Sequence, residues 1–114
     1  MTPHTALTIV GPTAVGKTKL AIECAERLDG ELVGTDSMQA VIGMDIGTAK
    51  PTIDELGSIS HHMLDVWPMS HKADVVQFRD LARKSIAETV QRQRTPIVVG
   101  GSVLYIKAIL DQFD

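Results

Sequence analysis

Residues 6–18 read ALTIVGPTAVGKT, an apolar pentapeptide running into a loop bounded by glycines and closed by Lys17-Thr18. The pentapeptide reads as a short, buried parallel strand. Gly11-Pro12-Thr13-Ala14-Val15-Gly16-Lys17-Thr18 satisfies G-x-x-x-x-G-K-[ST] at every defined position. Downstream, Leu20, Cys24 and Leu28 recur every four residues with Ala21 and Ala25 beside them, predicting one apolar helix face over 17–28. Strand, glycine loop and helix is the setting in which this motif cradles phosphate. The glycines allow a tight turn, successive N–H groups point inward, and the helix adds the positive end of its dipole. Lys17 then brings an ammonium to the terminal phosphate, and the Thr18 hydroxyl is a ligand for Mg²⁺, which prefers hard oxygen. The motif specifies phosphate and leaves open whether it belongs to a triphosphate or to a diphosphate leaving group.

Working outward, Asp29-Gly30 stops the helix, with glycine expected in the left-handed position. Residues 31–35 (ELVGT) form a second strand candidate, followed directly by Asp36-Ser37-Met38-Gln39. Ligands of open parallel sheets bind outside the carboxyl ends of the strands, which puts Asp36 on the rim that carries the phosphate loop. A carboxylate there takes a proton or helps hold Mg²⁺; the alternative is a turn cap. Residues 40–60 read mostly as loop, with a short helix from Thr52. The stretch 45–51 (DIGTAKP) either folds over the site, bringing Lys50 to phosphate, or is a plain surface loop. Residues 61–66 are a third strand candidate. Adjacent strand residues face opposite ways, so His61-His62 cannot chelate one ion and should split into a packed and an exposed histidine.

The period of Phe78, Ala82, Ile86 and Val90, joined by Val75 and Leu81, predicts a long helix over 73–93. Residues 96–99 (PIVV) form another strand. Gly100-Gly101-Ser102 then repeats the strand–glycine–hydroxyl design, with Ser102 capping a last helix to about residue 110. Alternating strands and helices imply a three-layer α/β architecture, a P-loop NTPase-like parallel sheet with flanking helices. Four strands are fewer than an ordinary sheet holds, so the expected domain is truncated.

The chain has 114 residues, a formal net charge of −3 and one cysteine, Cys24. These numbers predict a single domain without an internal disulfide framework and fit a cytoplasmic setting. No apolar run approaches the ~20 residues of a membrane span, and no leader pattern is visible. Arg79, Arg83, Lys84, Arg92 and Arg94 lie among acidic residues at helical spacing and read as a solvated helix face rather than an RNA-binding patch. Trp67, Phe78, Tyr105 and Phe113 are too dispersed to stack bases and read as core or rim packing.

Taken together, GPTAVGKT (11–18), DSMQ (36–39), GMDIGTAKP (43–51), HHMLDV (61–66) and PIVVGGSVLYIKA (96–108) resemble, in order and spacing, the N-terminal part of the tRNA dimethylallyltransferases, or tRNA isopentenyltransferases. The resemblance implies transfer of a dimethylallyl group from dimethylallyl diphosphate to the exocyclic amine of an adenosine beside the tRNA anticodon. It implies that Gly11, Pro12, Thr13, Ala14, Val15, Gly16, Lys17 and Thr18 hold the donor diphosphate, with Mg²⁺ at Thr18. Asp36 would be the general base, and Ser37, Met38 and Gln39 would line the adenosine pocket. Lys50 would face the substrate channel, and Ser102 stands where the family commonly has threonine. Ala40-Val41-Ile42 departs from the family's Val-Tyr-Arg-like stretch, which removes an aromatic and a cation from this loop. The family's tRNA-gripping insertion and later arginines have no counterpart in the sequence, so the stem–loop grip is expected to be weak. An adenylate prenyltransferase is the alternative within the class, and a small P-loop kinase or ATPase the alternative outside it. An unpaired sheet edge would offer a second copy a place to pair, which makes a homo-oligomer the assembly to test.

Overall fold

The computed structural model describes residues 6–10, 15–36, 39–43, 50–72, 74–101 and 103–110. Eight elements follow in chain order: β1 (Leu7–Val10), α1 (Val15–Leu28), β2 (Gly30–Gly34), α2 (Ile53–Leu56), β3 (His61–His62), α3 (Val75–Gln91), β4 (Thr95–Gly100) and α4 (Val103–Leu110). The strands form one parallel sheet in the order β1-β4-β2-β3. β4 inserts between β1 and β2, so the strand that leads into the phosphate motif and the strand that leads to Asp36 flank a common neighbour. Leu7 pairs with Ile97 on one side of β4, and Leu32 pairs with Ile97 on the other.

Helices cover both faces, as a three-layer sandwich requires. On one face Ala21 and Ala25 of α1 pack with Leu32 and Ile97, joined by Leu56 of α2 and by Ile59. On the other, Phe78 and Ala82 of α3 and Ile109 of α4 pack with Val33, Ala40 and Met63. β2 is buried along its whole length, whereas β1, bonded to β4 on one side, is only half-buried. The expectation of a fully buried first strand therefore fails at the sheet edge.

Four local expectations change for physical reasons. In α1 the buried seam is Ala21–Ala25, both about 1% exposed, while Leu20 and Leu28 are 50% and 47% exposed. Small residues let the helix axis approach the sheet closely, and the larger leucines lie to the flank. At the end of α1 the left-handed residue is Asp29, with φ 52°, and not Gly30. Gly30 is glycine because a Cβ there would come within 2.7 Å of Ile97 Cδ1 and 2.8 Å of the Thr95 carbonyl oxygen. The third strand is two residues long, because Met63 (φ 72°) and Asp65 (φ 51°) turn the chain out of extended geometry. In α3 the buried residues are Phe78, Ala82, Ser85 and Thr89, and Val75 is exposed. Steps of four, three and four follow the helix axis, whereas the four-residue repeat through Ile86 and Val90 precesses around it.

The short helix expected from Thr52 is present, with a complete capping box. Thr52 Oγ1 accepts from the Glu55 amide at 3.1 Å, and Glu55 Oε1 accepts from the Thr52 amide at 2.9 Å. Among the described residues no helix is long and apolar enough to cross a membrane.

Candidate active site

The first turn of α1 holds Gly16, Lys17 and Thr18, and the chain leaving β2 holds Thr35 and Asp36. β4 fixes their relative height. The Thr35 amide and the Thr35 hydroxyl both donate to the Val99 carbonyl, at 2.8 and 3.0 Å. This clamp explains Gly100, since a Cβ there would lie 1.6 Å from Thr35 Oγ1. Beyond it opens a cleft continuous with solvent. Lys17, Thr18, Asp36, Gln39, Pro51 and His61 line it, over a floor that includes Gly34, Val99 and Gly100. An ammonium, a helix start, a hydroxyl and a carboxylate thus share one opening at the carboxyl end of a parallel sheet, an arrangement chemically suited to attracting phosphate and accepting a proton.

Four expected site residues, Lys17, Thr18, Asp36 and Gln39, come together in the cleft. Gly16 lies in the first turn of α1, where among the described residues a Cβ would meet no atom within 4 Å. Gly11, Pro12, Thr13, Ala14, Ser37, Met38 and Ser102 lie outside the described residues, as does the side chain of Val15. Lys50 does not line the cleft, although its neighbour Pro51 does. The Lys50 ammonium donates to the Val41 carbonyl at 2.8 Å and to Asp65 Oδ1 at 2.6 Å, and its side chain is 8% exposed.

The two histidines face opposite ways as alternation requires, but both are half-buried, so the expected split into a packed and an exposed histidine does not form. His61 faces the cleft, packed against Gly34, and His62 faces the α3 side. His61 Nδ1 lies 3.1 Å from the His62 carbonyl, which can only accept, so Nδ1 carries the proton. Burial lowers the His61 pKa to about 4, and the ring is neutral near pH 7. Composition gave no sign of His61 in the cleft; its pairing with Leu32 in the sheet register puts it there.

On the opposite face, Glu31 is a buried carboxylate that the sequence reading missed. Arg92 meets it through Nη2 at 2.5 Å and Nε at 3.0 Å, His62 Nε2 lies 2.7 Å away, and the Thr89 hydroxyl donates at 3.1 Å. The hydrogen bonds from Arg92, and then those from His62 and Thr89, outweigh burial and hold the Glu31 pKa at about 2. Arg94 adds a longer contact at 3.8 Å. The basic cluster is therefore not simply a solvated face. Arg92 and Arg94 neutralise Glu31, and Arg83 Nε donates to the Ile109 carbonyl at 2.9 Å. Trp67 packs at the core edge, stacked on His71 with ring centroids 5.2 Å apart, in line with the packing role expected for it. Among the described residues no group of three or more His, Cys, Asp or Glu side chains could hold a metal.

Comparison with known proteins adds an independent observation. Residues 39–114 match the family model described as IPP transferase. The tRNA dimethylallyltransferase of Salinispora tropica is 47% identical over 110 residues, which cover 96% of this chain and 34% of that protein. The Nocardioides sp. tRNA dimethylallyltransferase is 53% identical over 106 residues, covering 93% and 34%. The crystal structure of the full-length tRNA isopentenylpyrophosphate transferase from Bacillus halodurans superposes with a TM-score of 0.91 at 46% identity, covering 98% of this chain and 37% of that one. The chain spans about a third of the length of the curated relatives it matches.

Proposed function

The chain belongs to the IPP transferase family, and from that premise we propose that it forms the N-terminal part of a P-loop prenyltransferase catalytic domain. The reaction is transfer of a dimethylallyl group from dimethylallyl diphosphate to the exocyclic amine of an adenosine beside a tRNA anticodon. The observation that carries this reading is the cleft itself, in which Lys17 and Thr18 at a helix start face the same opening as Asp36.

Each residue then has one task. Residues 11–18 bind the diphosphate through backbone N–H groups, and Lys17 neutralises charge as diphosphate departs. The amine nitrogen attacks the allylic carbon, the bond from that carbon to the diphosphate oxygen breaks, and Asp36 takes the amine proton. Ser37, Met38 and Gln39 line the acceptor pocket, and Ser102 adds a hydroxyl at the start of α4. The donor set fits Mg²⁺, because the Thr18 hydroxyl supplies a hard oxygen and diphosphate would supply more. When bound, the ion supplies charge stabilisation for the leaving diphosphate. The open edge of β1 is the surface through which a second copy would pair.

Asp36→Asn tests the assignment. Joined to the remaining two-thirds of the Salinispora tropica relative, the chain is expected to modify an anticodon stem–loop. In that chimaera Asp36→Asn should lower transfer at least about a hundredfold, the scale of a general base. Diphosphate affinity, measured by calorimetry, should stay within about twofold, because the asparagine keeps the carboxylate's shape and removes only its basicity. Unchanged turnover would remove Asp36 as the base.

A further inference from the structure

The geometry points to Lys50 and Asp65 as a positioning pair that holds the acceptor wall of the cleft, rather than as substrate ligands. That wall is built from two chain segments with no regular secondary structure of their own. One carries Gln39, which lines the cleft, and continues through Ala40, Val41 and Ile42. The other is the return from β3 through Asp65, Val66 and Trp67. They are laced by main-chain bonds: the Asp65 amide donates to the Gln39 carbonyl at 3.0 Å, and the Val66 and Trp67 amides donate to the Ala40 carbonyl at 2.6 and 2.9 Å. The Ile42 amide completes the set by donating to the Trp67 carbonyl at 2.8 Å.

Lys50 crosses this seam. Its ammonium bonds the Val41 carbonyl of one segment and the Asp65 carboxylate of the other. A cation with a nearly buried side chain at this junction joins the two segments directly and brings the following Pro51 to the cleft rim. Asp65 sits at φ 51°, a sparsely populated conformation for a residue with a side chain, and such a residue persists where its surroundings over-determine it. The contacts that hold it are those to Lys50 and Gln39. Removing the Lys50 charge frees the Asp65 turn, and the Gln39 backbone loses a fixed partner. The phosphate end of the cleft, built on α1 and β4, is tied by different bonds and is not affected.

The site assignment rests on the function proposed above, but the pairing does not, and the experiment separates them. The first reading is amide hydrogen exchange of the 114-residue chain, which needs no substrate. Lys50→Met keeps the stem length and removes the charge, and Asp65→Asn removes the other partner. Either should accelerate exchange at Asp65, Val66 and Trp67 by about tenfold or more, the loss of a charge-assisted hydrogen bond, while the β4 amides are unchanged. Lys50→Arg should restore protection. Unchanged exchange at 65–67, or acceleration spread equally over β4, would overturn the pair as a local positioning device.

The second reading is binding by the chimaera described above, measured by calorimetry. Lys50→Met should weaken an anticodon stem–loop RNA about tenfold and leave inorganic diphosphate within about twofold, as expected when one wall is loosened and the other is not. Equal loss of both ligands would overturn the assignment to the acceptor wall. Wild-type chimaera that binds diphosphate and no stem–loop would count against the proposed acceptor, with the exchange result still deciding the pair.

Discussion

Individual residues show how the charged groups of this chain divide between folding and chemistry. Glu31, with its pKa held near 2 against an ordinary 4.5, contributes stability above about pH 4.5 that is lost as pH falls toward 2. His61 works in a different window. Its folded pKa of about 4 lies below the ordinary 6.5, so the unfolded chain takes up the proton first and stability falls from pH 6.5 toward 4. Acid destabilisation should therefore come in two windows in a plot of urea midpoint against pH. His61→Asn should flatten the upper one; Glu31→Gln should flatten the lower one and also reduce stability at neutral pH, because Arg92 and His62 lose a charged partner. A single acid transition shared by both variants would count against this division. Gly16 belongs to the chemical side. Among the described residues a Cβ there meets no atom within 4 Å, which on the proposed reading leaves room for close approach of a ligand. Gly16→Ala should raise stability by up to about 1 kcal/mol through helix propensity and weaken diphosphate binding about tenfold by blocking one N–H. Thermal unfolding and calorimetry on the same variant check both halves.

At the scale of elements, the sandwich depends on which face each helix presents. The α1 seam of Ala21 and Ala25 predicts that Ala21→Leu overpacks the contact with Leu32 and Ile97 and costs about 1–3 kcal/mol. Leu20→Lys, on the exposed flank, should change stability by no more than about 0.5 kcal/mol. Denaturant midpoints in the reverse order would return the helix to the face expected from its leucines. The contrast shows what the sequence carried. Strand–helix alternation, the parallel sheet and the short helix from Thr52 were legible because each depends on a few adjacent residues. The α1 seam was not, because the leucine repeat marks apolar residues without saying which of them the sheet admits. Nor was the strand order, since β4 enters between β1 and β2 through pairings such as Leu7 with Ile97 and Gly30 with Thr95, which are remote in sequence. The site divides in the same way. Lys17, Thr18, Asp36 and Gln39 follow from motif and strand end, whereas His61 enters the cleft through its register with Leu32, and Glu31 finds Arg92 from another element.

The whole molecule sets how far the chemistry can go. The groups proposed to hold the donor diphosphate come from the loop after β1 and the start of α1, and both β1 and α1 contact β4 within this chain. On that proposal donor binding is local. Acceptor binding is not, because an anticodon stem–loop needs a broad basic surface, and here the net charge is −3 while Arg92, Arg94 and Arg83 are engaged internally. The 114-residue chain alone should bind dimethylallyl diphosphate with Mg²⁺ and transfer little or no prenyl group to RNA. The competing kinase reading predicts the reverse donor preference, since a P-loop that serves a kinase must seat a nucleoside triphosphate and present its terminal phosphate for transfer. Calorimetric titration of dimethylallyl diphosphate and of ATP, each with Mg²⁺, separates the two. The prenyltransferase reading expects heat of binding from the prenyl donor and no ATP turnover by phosphate release. Tight ATP binding with no binding of dimethylallyl diphosphate would assign the cleft to phosphoryl transfer, and robust prenylation of a stem–loop by this chain alone would show that its surface grips RNA unaided.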